Sequence, residues 1–120
     1  MYQSSICFLP CRDLTQTTSF YTQTVGLEVA EQMPGCVIFD TGRGYWGFCA
    51  YGDDRPMATG VVLSLNCADN AAVDAEYRRL MAGNAAIVQN PPAMHAVFPV
   101  YSFFITDPNG YLVEFQKIQK

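Results

Sequence analysis

The chain repeats itself, and the repeat limits the available folds more than any other feature. Asp13 stands eight positions before Tyr21, as Asp69 does before Tyr77. Gly44-Tyr45 opens the last strand-like run of the first half, and Gly110-Tyr111 opens that of the second. A module this small cannot bury a sheet face by itself, so two are expected to share one core. The 120 residues are enough for one domain of ordinary size with a real hydrophobic core.

Each half reads as β-α-β-β-β. In the first, residues 5–11 are apolar and β-prone, and Asp13 is a helix N-cap with Gln16 at capping-box spacing. Leu14, Thr18, Tyr21 and Val25 then recur at helical spacing until Gly26 stops the helix. The threonines between Thr15 and Thr24 are poor helix formers, so packing has to hold this segment. Strands are expected at 27–33, 36–40 and 45–51, split by Pro34-Gly35 and by the turn 41–44, and the polar run 52–56 is a connector. In the second half, 60–67 reads as a strand, and Asp69 or Asn70 caps a helix with Val73, Tyr77, Leu80 and Met81 on one face. Gly83-Asn84 closes that helix. Strands at 85–89, 100–106 and 111–117 follow, with a proline-fixed loop at 90–99 and Asp107-Pro108-Asn109-Gly110 as a hairpin turn. The expected architecture is α+β: modules of about 4–52 and 58–118 in one domain, forming a curved eight-stranded mixed sheet with both helices on its convex side.

Composition narrows the function. Half of the residues are apolar, 15% are charged and the net charge is −4. Such a chain is too hydrophobic to be disordered and too acidic to hold nucleic acid by counterion release. The longest stretch without Lys, Arg, Asp or Glu, 80–106, is broken by Asn84, Gln89, Asn90, Pro91, Pro92 and His95, so it is not read as a membrane span. Nothing resembling a secretory signal opens the sequence, and a cytoplasmic location is expected. Five cysteines without a Cys-x-x-Cys pair suggest reduced thiols acting as small buried hydrophobes.

Two segments carry a family likeness. Asp13-Leu14, Ser19-Phe20-Tyr21-Thr22 and Val25-Gly26-Leu27-Glu28-Val29, with the later run Phe103-Phe104-Ile105-Thr106-Asp107-Pro108-Asn109-Gly110-Tyr111-Leu112-Val113-Glu114-Phe115, resemble the vicinal oxygen chelate superfamily of glyoxalases, extradiol dioxygenases and bleomycin-resistance proteins. The likeness covers essentially the whole chain and is nearest to the small bleomycin-resistance-like members. It implies a concave sheet face that in catalytic members holds a divalent metal, with ligands from the first and last strand of each module. Carried over by position, those ligand sites are Ile6, Phe48, Val62 and Glu114. An Ile, a Phe and a Val donate nothing to a metal, and one carboxylate alone does not hold Zn²⁺, Ni²⁺ or Fe²⁺ against water. The adjacent positions, Ser5, Cys7, Gly47, Cys49, Val61 and Leu63, add only two thiols, both expected on the helix side of the sheet.

A metal-independent binding protein is therefore the expected function, with no cofactor and an apolar or aromatic small molecule held in a concave, aromatic-lined cleft. Trp46, Phe48, Phe98, Tyr101 and Glu114 are its expected contacts, with Trp46 and Phe48 together on the concave face by strand alternation. The alternative is a metal-dependent lyase, isomerase or dioxygenase of the glyoxalase superfamily. Its metal-free variant would move protons between Glu114 and His95, the sole histidine. A homodimer is expected under either reading, with neither nucleic acid nor membrane as a partner.

Overall fold

Strand β1 (Ile6–Pro10) leads straight into a capped helix. The Asp13 carboxylate accepts the Gln16 N–H at 2.8 Å, starting α1 (Leu14–Ser19) where the capping pattern places it. The threonine-rich continuation does not stay α-helical. Thr18 Oγ1 donates to Leu14 O at 2.7 Å and Thr22 Oγ1 to Thr18 O at 2.8 Å, hydroxyl bonds that compete with the backbone ladder. Residues Phe20–Val25 widen into a π-helix, and Gly26 ends it at φ +92°, donating its N–H to Tyr21 O at 3.0 Å. The helical spacing thus finds a helix of the right extent, but of mixed type.

The computed structural model describes residues 1–120 and divides them into two units, Met1–Thr59 and Gly60–Lys120. In the first, β2 (Glu28–Met33), β3 (Cys36–Asp40) and β4 (Tyr45–Cys49) join β1 in a mixed sheet of order β1-β4-β3-β2. In the second, β5 (Val62–Asn66), β6 (Ala93–Met94), β7 (Val100–Thr106) and β8 (Leu112–Ile118) give the same order, β5-β8-β7-β6. In both sheets the first strand runs parallel to the last and the others are antiparallel. The α+β class and the duplicated β-α-β-β-β order therefore hold.

Helix α2 (Asn70–Asn84) is capped by Asp69, whose carboxylate accepts the Ala72 N–H at 2.8 Å. One strand differs from expectation. Residues 85–89 form a 3₁₀ turn, Ala85–Ile87, and a single bridge from Val88 to Ile105, whereas the second strand of this module is the two-residue β6 inside the expected loop. Two alanines offer a sheet little side chain to pack, and Asn90 Oδ1 accepts the Phe104 N–H at 3.2 Å in place of a strand carbonyl.

The two core layers follow from which sheet face each helix covers. Helix α1 and its π-helical extension lie on β3 and β4, where the Tyr21 ring stacks on Phe48 at 4.7 Å and meets Phe39 at 5.4 Å. All three rings are fully buried, worth about 2–3 kcal/mol each in water-to-core transfer. Helix α2 lies on β7 and β8, with Val73 and Leu80 buried and Tyr77 edge-on to Phe103 at 5.5 Å. Phe103 stacks in turn on Phe115 at 5.1 Å.

Candidate functional site

With the helix-covered faces assigned, register fixes the residues on the opposite faces. In the second unit Val62, Ser64 and Asn66 of β5 pair with Leu112, Glu114 and Gln116 of β8, and Glu114 and Gln116 pair onward with Phe104 and Ser102 of β7. These side chains project away from α2, because the intervening residues Phe103, Val113 and Phe115 form the layer under it. Glu114 is the one ionisable residue among the strand positions of this face. It is only 8% exposed, and Ser64 Oγ donates to its Oε1 at 2.5 Å. Beside it Gln116 Nε2 donates to Asn66 Oδ1 at 3.1 Å, and at the far edge Gln89 Nε2 donates to Thr106 Oγ1 at 2.6 Å. The surface is a carboxylate with one oxygen held by a hydroxyl, apolar at Val62, Leu112 and Phe104 and amide-rich at Asn66 and Gln116. It suits an apolar body bearing a hydrogen-bond donor.

The equivalent face of the first unit has no such anchor. Ile6 pairs with Tyr45, Phe8 with Gly47 and Pro10 with Cys49, so Gly47, not Phe48, occupies the position that Glu114 holds in the second unit. The Phe8 ring lies across Gly47, where a Cβ would come within 2.5 Å of it. Cys36, Ile38 and Cys49 form a small buried cluster on this same face, with Tyr45 against it.

Several expected contacts lie elsewhere. Phe48 and Trp46 face α1 and its extension, not the helix-free face: Phe48 is fully buried under Tyr21, and the Trp46 ring is edge-on to Tyr21 at 6.1 Å. Alternation does keep Trp46 and Phe48 together, but the position carried over to Phe48 is out by one because β4 begins at Tyr45, directly after its glycine, whereas β8 begins at Leu112, one residue further on. Tyr101 also points to the helix side and donates its hydroxyl to Asp74 of α2 at 2.6 Å, a bond that raises the phenol's pKa. Cys49 lies on the face away from the helix, against expectation, while Cys7, paired with Trp46, is on the helix side as expected. Phe98 is exposed in the loop before β7, with the His95 ring 5.1 Å away. His95 Nδ1 accepts the Val97 and Phe98 N–H groups at 3.0 and 3.1 Å, so this imidazole shapes its own loop. Val62 and Glu114 do share a face. Ser64, the partner of Glu114, escaped sequence reasoning, although its place two residues after Val62 on a parallel strand was a usable signal.

The family's metal can be tested against these donors. Ile6, Gly47 and Val62 offer no donor atom, and no three His, Cys, Asp or Glu side chains converge anywhere in the chain in a way that could hold a metal ion. The residues present do not fit the metal site that the resemblance implies.

Comparison with known proteins agrees with the fold. A crystal structure of a glyoxalase/bleomycin resistance protein/dioxygenase from Nocardioides aligns with a TM-score of 0.76 at 20% identity, covering 100% of this chain and 85% of that one. Lactoylglutathione lyase from Agrobacterium tumefaciens aligns with a TM-score of 0.74 at 25% identity over 94% of this chain and 91% of its own. A family enzyme from Burkholderia phytofirmans PsJN gives 0.76 at 18% identity, with 95% and 97% coverage. No protein of curated function matches the sequence. The family model for this group matches residues 4–115, nearly the whole of two modules built in the same strand order, and the chain belongs to the glyoxalase/bleomycin resistance protein/dioxygenase superfamily.

Proposed function

We propose that this chain is a metal-independent small-molecule binding protein of the superfamily, whose ligand lies on the helix-free face of the second sheet and pairs a donor group with Glu114. The observation that carries this reading is Glu114 itself. It is the sole carboxylate on its face, mostly buried, fixed at one oxygen by Ser64 and flanked by Val62, Leu112 and Phe104. A carboxylate so placed attracts an amine or hydroxyl and orients it by a charge-assisted hydrogen bond, while the apolar neighbours take the body of the ligand. Binding of this kind needs affinity alone and no transition-state machinery. Proton transfer between Glu114 and His95 gains no support, since the His95 Nδ1 lone pair is engaged by its own loop.

Ligand-observed NMR with a panel of aromatic amines and phenols, alongside Zn²⁺ and Ni²⁺ titrations, tests the reading. Expected is line broadening by amines that Glu114→Gln removes while the far-UV dichroism stays unchanged, and no stoichiometric metal uptake. One chelator-removable metal per chain, or amine binding indifferent to Glu114→Gln, overturns it.

A further inference from the structure

Outside that face, the strongest unassigned chemistry is a pair of thiols. Cys36 Sγ and Cys49 Sγ lie 2.9 Å apart and share a hydrogen bond, although they are distant in sequence. They are direct partners across the antiparallel β3-β4 ladder. The Ala50 N–H donates to Gly35 O at 2.9 Å, and Cys49 O accepts the Cys11 N–H on its other side, also at 2.9 Å. Cys49 therefore turns its backbone polar groups toward β1, and Cys36 and Cys49 form a non-hydrogen-bonded pair. Such pairs have Cα atoms about 4.5 Å apart. A disulfide accepts Cα separations of roughly 4.4–6.8 Å. The two sulfurs can be joined without moving either strand.

We propose that Cys36 and Cys49 are a reversible oxidation site, converted to a cross-strand disulfide by a hydroperoxide and returned to the dithiol by a low-molecular-weight thiol. In the first step a Cys49 thiolate attacks one peroxide oxygen. The O–O bond breaks, the departing oxygen leaves as water or an alcohol with the proton Cys49 gave up, and Cys49 becomes a sulfenic acid. In the second step Cys36 sulfur attacks Cys49 sulfur, the S–O bond breaks, and hydroxide leaves as water with the Cys36 proton. Two sulfurs lose two electrons and the peroxide gains them. Reduction runs by exchange: two small thiols attack in succession and leave as their own disulfide, restoring both protons.

Cys49, the last residue of β4 and next to exposed Ala50, is given the first attack, and Cys36, whose thiol is raised to about 12 by burial and then by the neighbouring Cys49, is given the resolving step. Both thiols are nearly enclosed, which slows the first step and favours small oxidants over large ones. A cleft of about 360 Å³ lined by Cys11, Ala50 and Tyr51 lies beside the end of β4, next along the chain from Cys49. Once the sulfenic acid forms, its resolving thiol is already in contact, and that contact is what separates this pair from exposed Cys7 and half-buried Cys67.

The test treats the reduced full chain with hydrogen peroxide, blocks remaining thiols with iodoacetamide and maps tryptic peptides by tandem mass spectrometry. Trypsin cuts after Arg43, between the two cysteines, so a bridge joins two peptides, and a Cys67→Ser background makes its assignment unique. The expected result is a Cys36–Cys49 bridge, with an intact-mass loss of about 2 Da that dithiothreitol reverses. In Cys36→Ser, which removes the resolving thiol, dimedone is expected to label Cys49 several-fold more than in the parent chain. Recovery of both cysteines alkylated after peroxide treatment has removed other thiols overturns the proposal, as does a first bridge that involves Cys7, Cys11 or Cys67. Dimedone on Cys36 and Cys49 alike in the parent chain has the same consequence, because it means that no resolution occurs.

Discussion

Glu114 and Gly47 hold equivalent places in the two sheets, and the difference between them decides what each face can do. At Glu114 the local energetics rest on one bond. Ser64→Ala takes the hydroxyl from a mostly buried carboxylate, so a loss of about 1–3 kcal/mol is expected in urea unfolding. Indifference of the unfolding midpoint would mean that water satisfies Oε1. At Phe48 the same physics runs through packing. Phe48→Ala opens a void beneath Tyr21 and Phe39 and is expected to cost about 3–5 kcal/mol, whereas it leaves the Glu114 face untouched. That separation was only half legible in the sequence. The carboxylate and its apolar neighbour Val62 could be placed on one face by counting, but Phe48 could not, because a one-residue difference in where β4 and β8 begin reverses every side chain of the strand. Aromatic residues in a family pocket strand look alike whether they line a cleft or sit under a helix. Only the Tyr21 contact distinguishes the two.

At the scale of elements, what could be read in advance was what backbone chemistry imposes. Asp13 caps its helix through Gln16, as its spacing indicated, and of the two candidates Asp69 and Asn70 it is Asp69 that caps α2, through Ala72. The β7-β8 turn is likewise local: Asp107 Oδ1 accepts the Asn109 and Tyr111 N–H groups, both at 2.8 Å, and Gly110 turns at φ +89°. Asp107→Ala would leave two backbone donors without their carboxylate in a buried turn. An expected loss of about 3 kcal/mol, read by thermal unfolding, tests whether this turn fixes the β8 register on which Glu114 depends. Asp13→Ala, at an exposed cap, should cost only about 1 kcal/mol. The missed strand at 85–89 and the π-helical extension of α1 share a different origin. Both depend on side-chain groups that replace backbone partners, Asn90 on Phe104 and the threonine hydroxyls on helix carbonyls, and propensity does not encode such substitutions.

For the whole molecule the open question is self-association. Strand β1 is an edge of its sheet, and Ile6 and Phe8 on it are 42% and 49% exposed, with Cys7 between them exposed as well. An uncharged, apolar edge is a template for pairing that soluble proteins rarely leave open. It carries none of the lysines or prolines that blunt such edges, apart from Pro10 at its end. No helix of the chain is long and apolar enough to cross a membrane. A homodimer is the expected outcome, and sedimentation velocity should give a particle of twice 13.3 kDa across the micromolar range. Phe8→Glu puts a charge at the centre of that edge and removes the ring from Gly47, so it should shift the particle toward monomer and weaken self-association at least tenfold, about 1.4 kcal/mol. A parent chain that sediments as a monomer at every concentration, or a Phe8→Glu dimer as tight as the parent, would show that β1 plays no part in assembly.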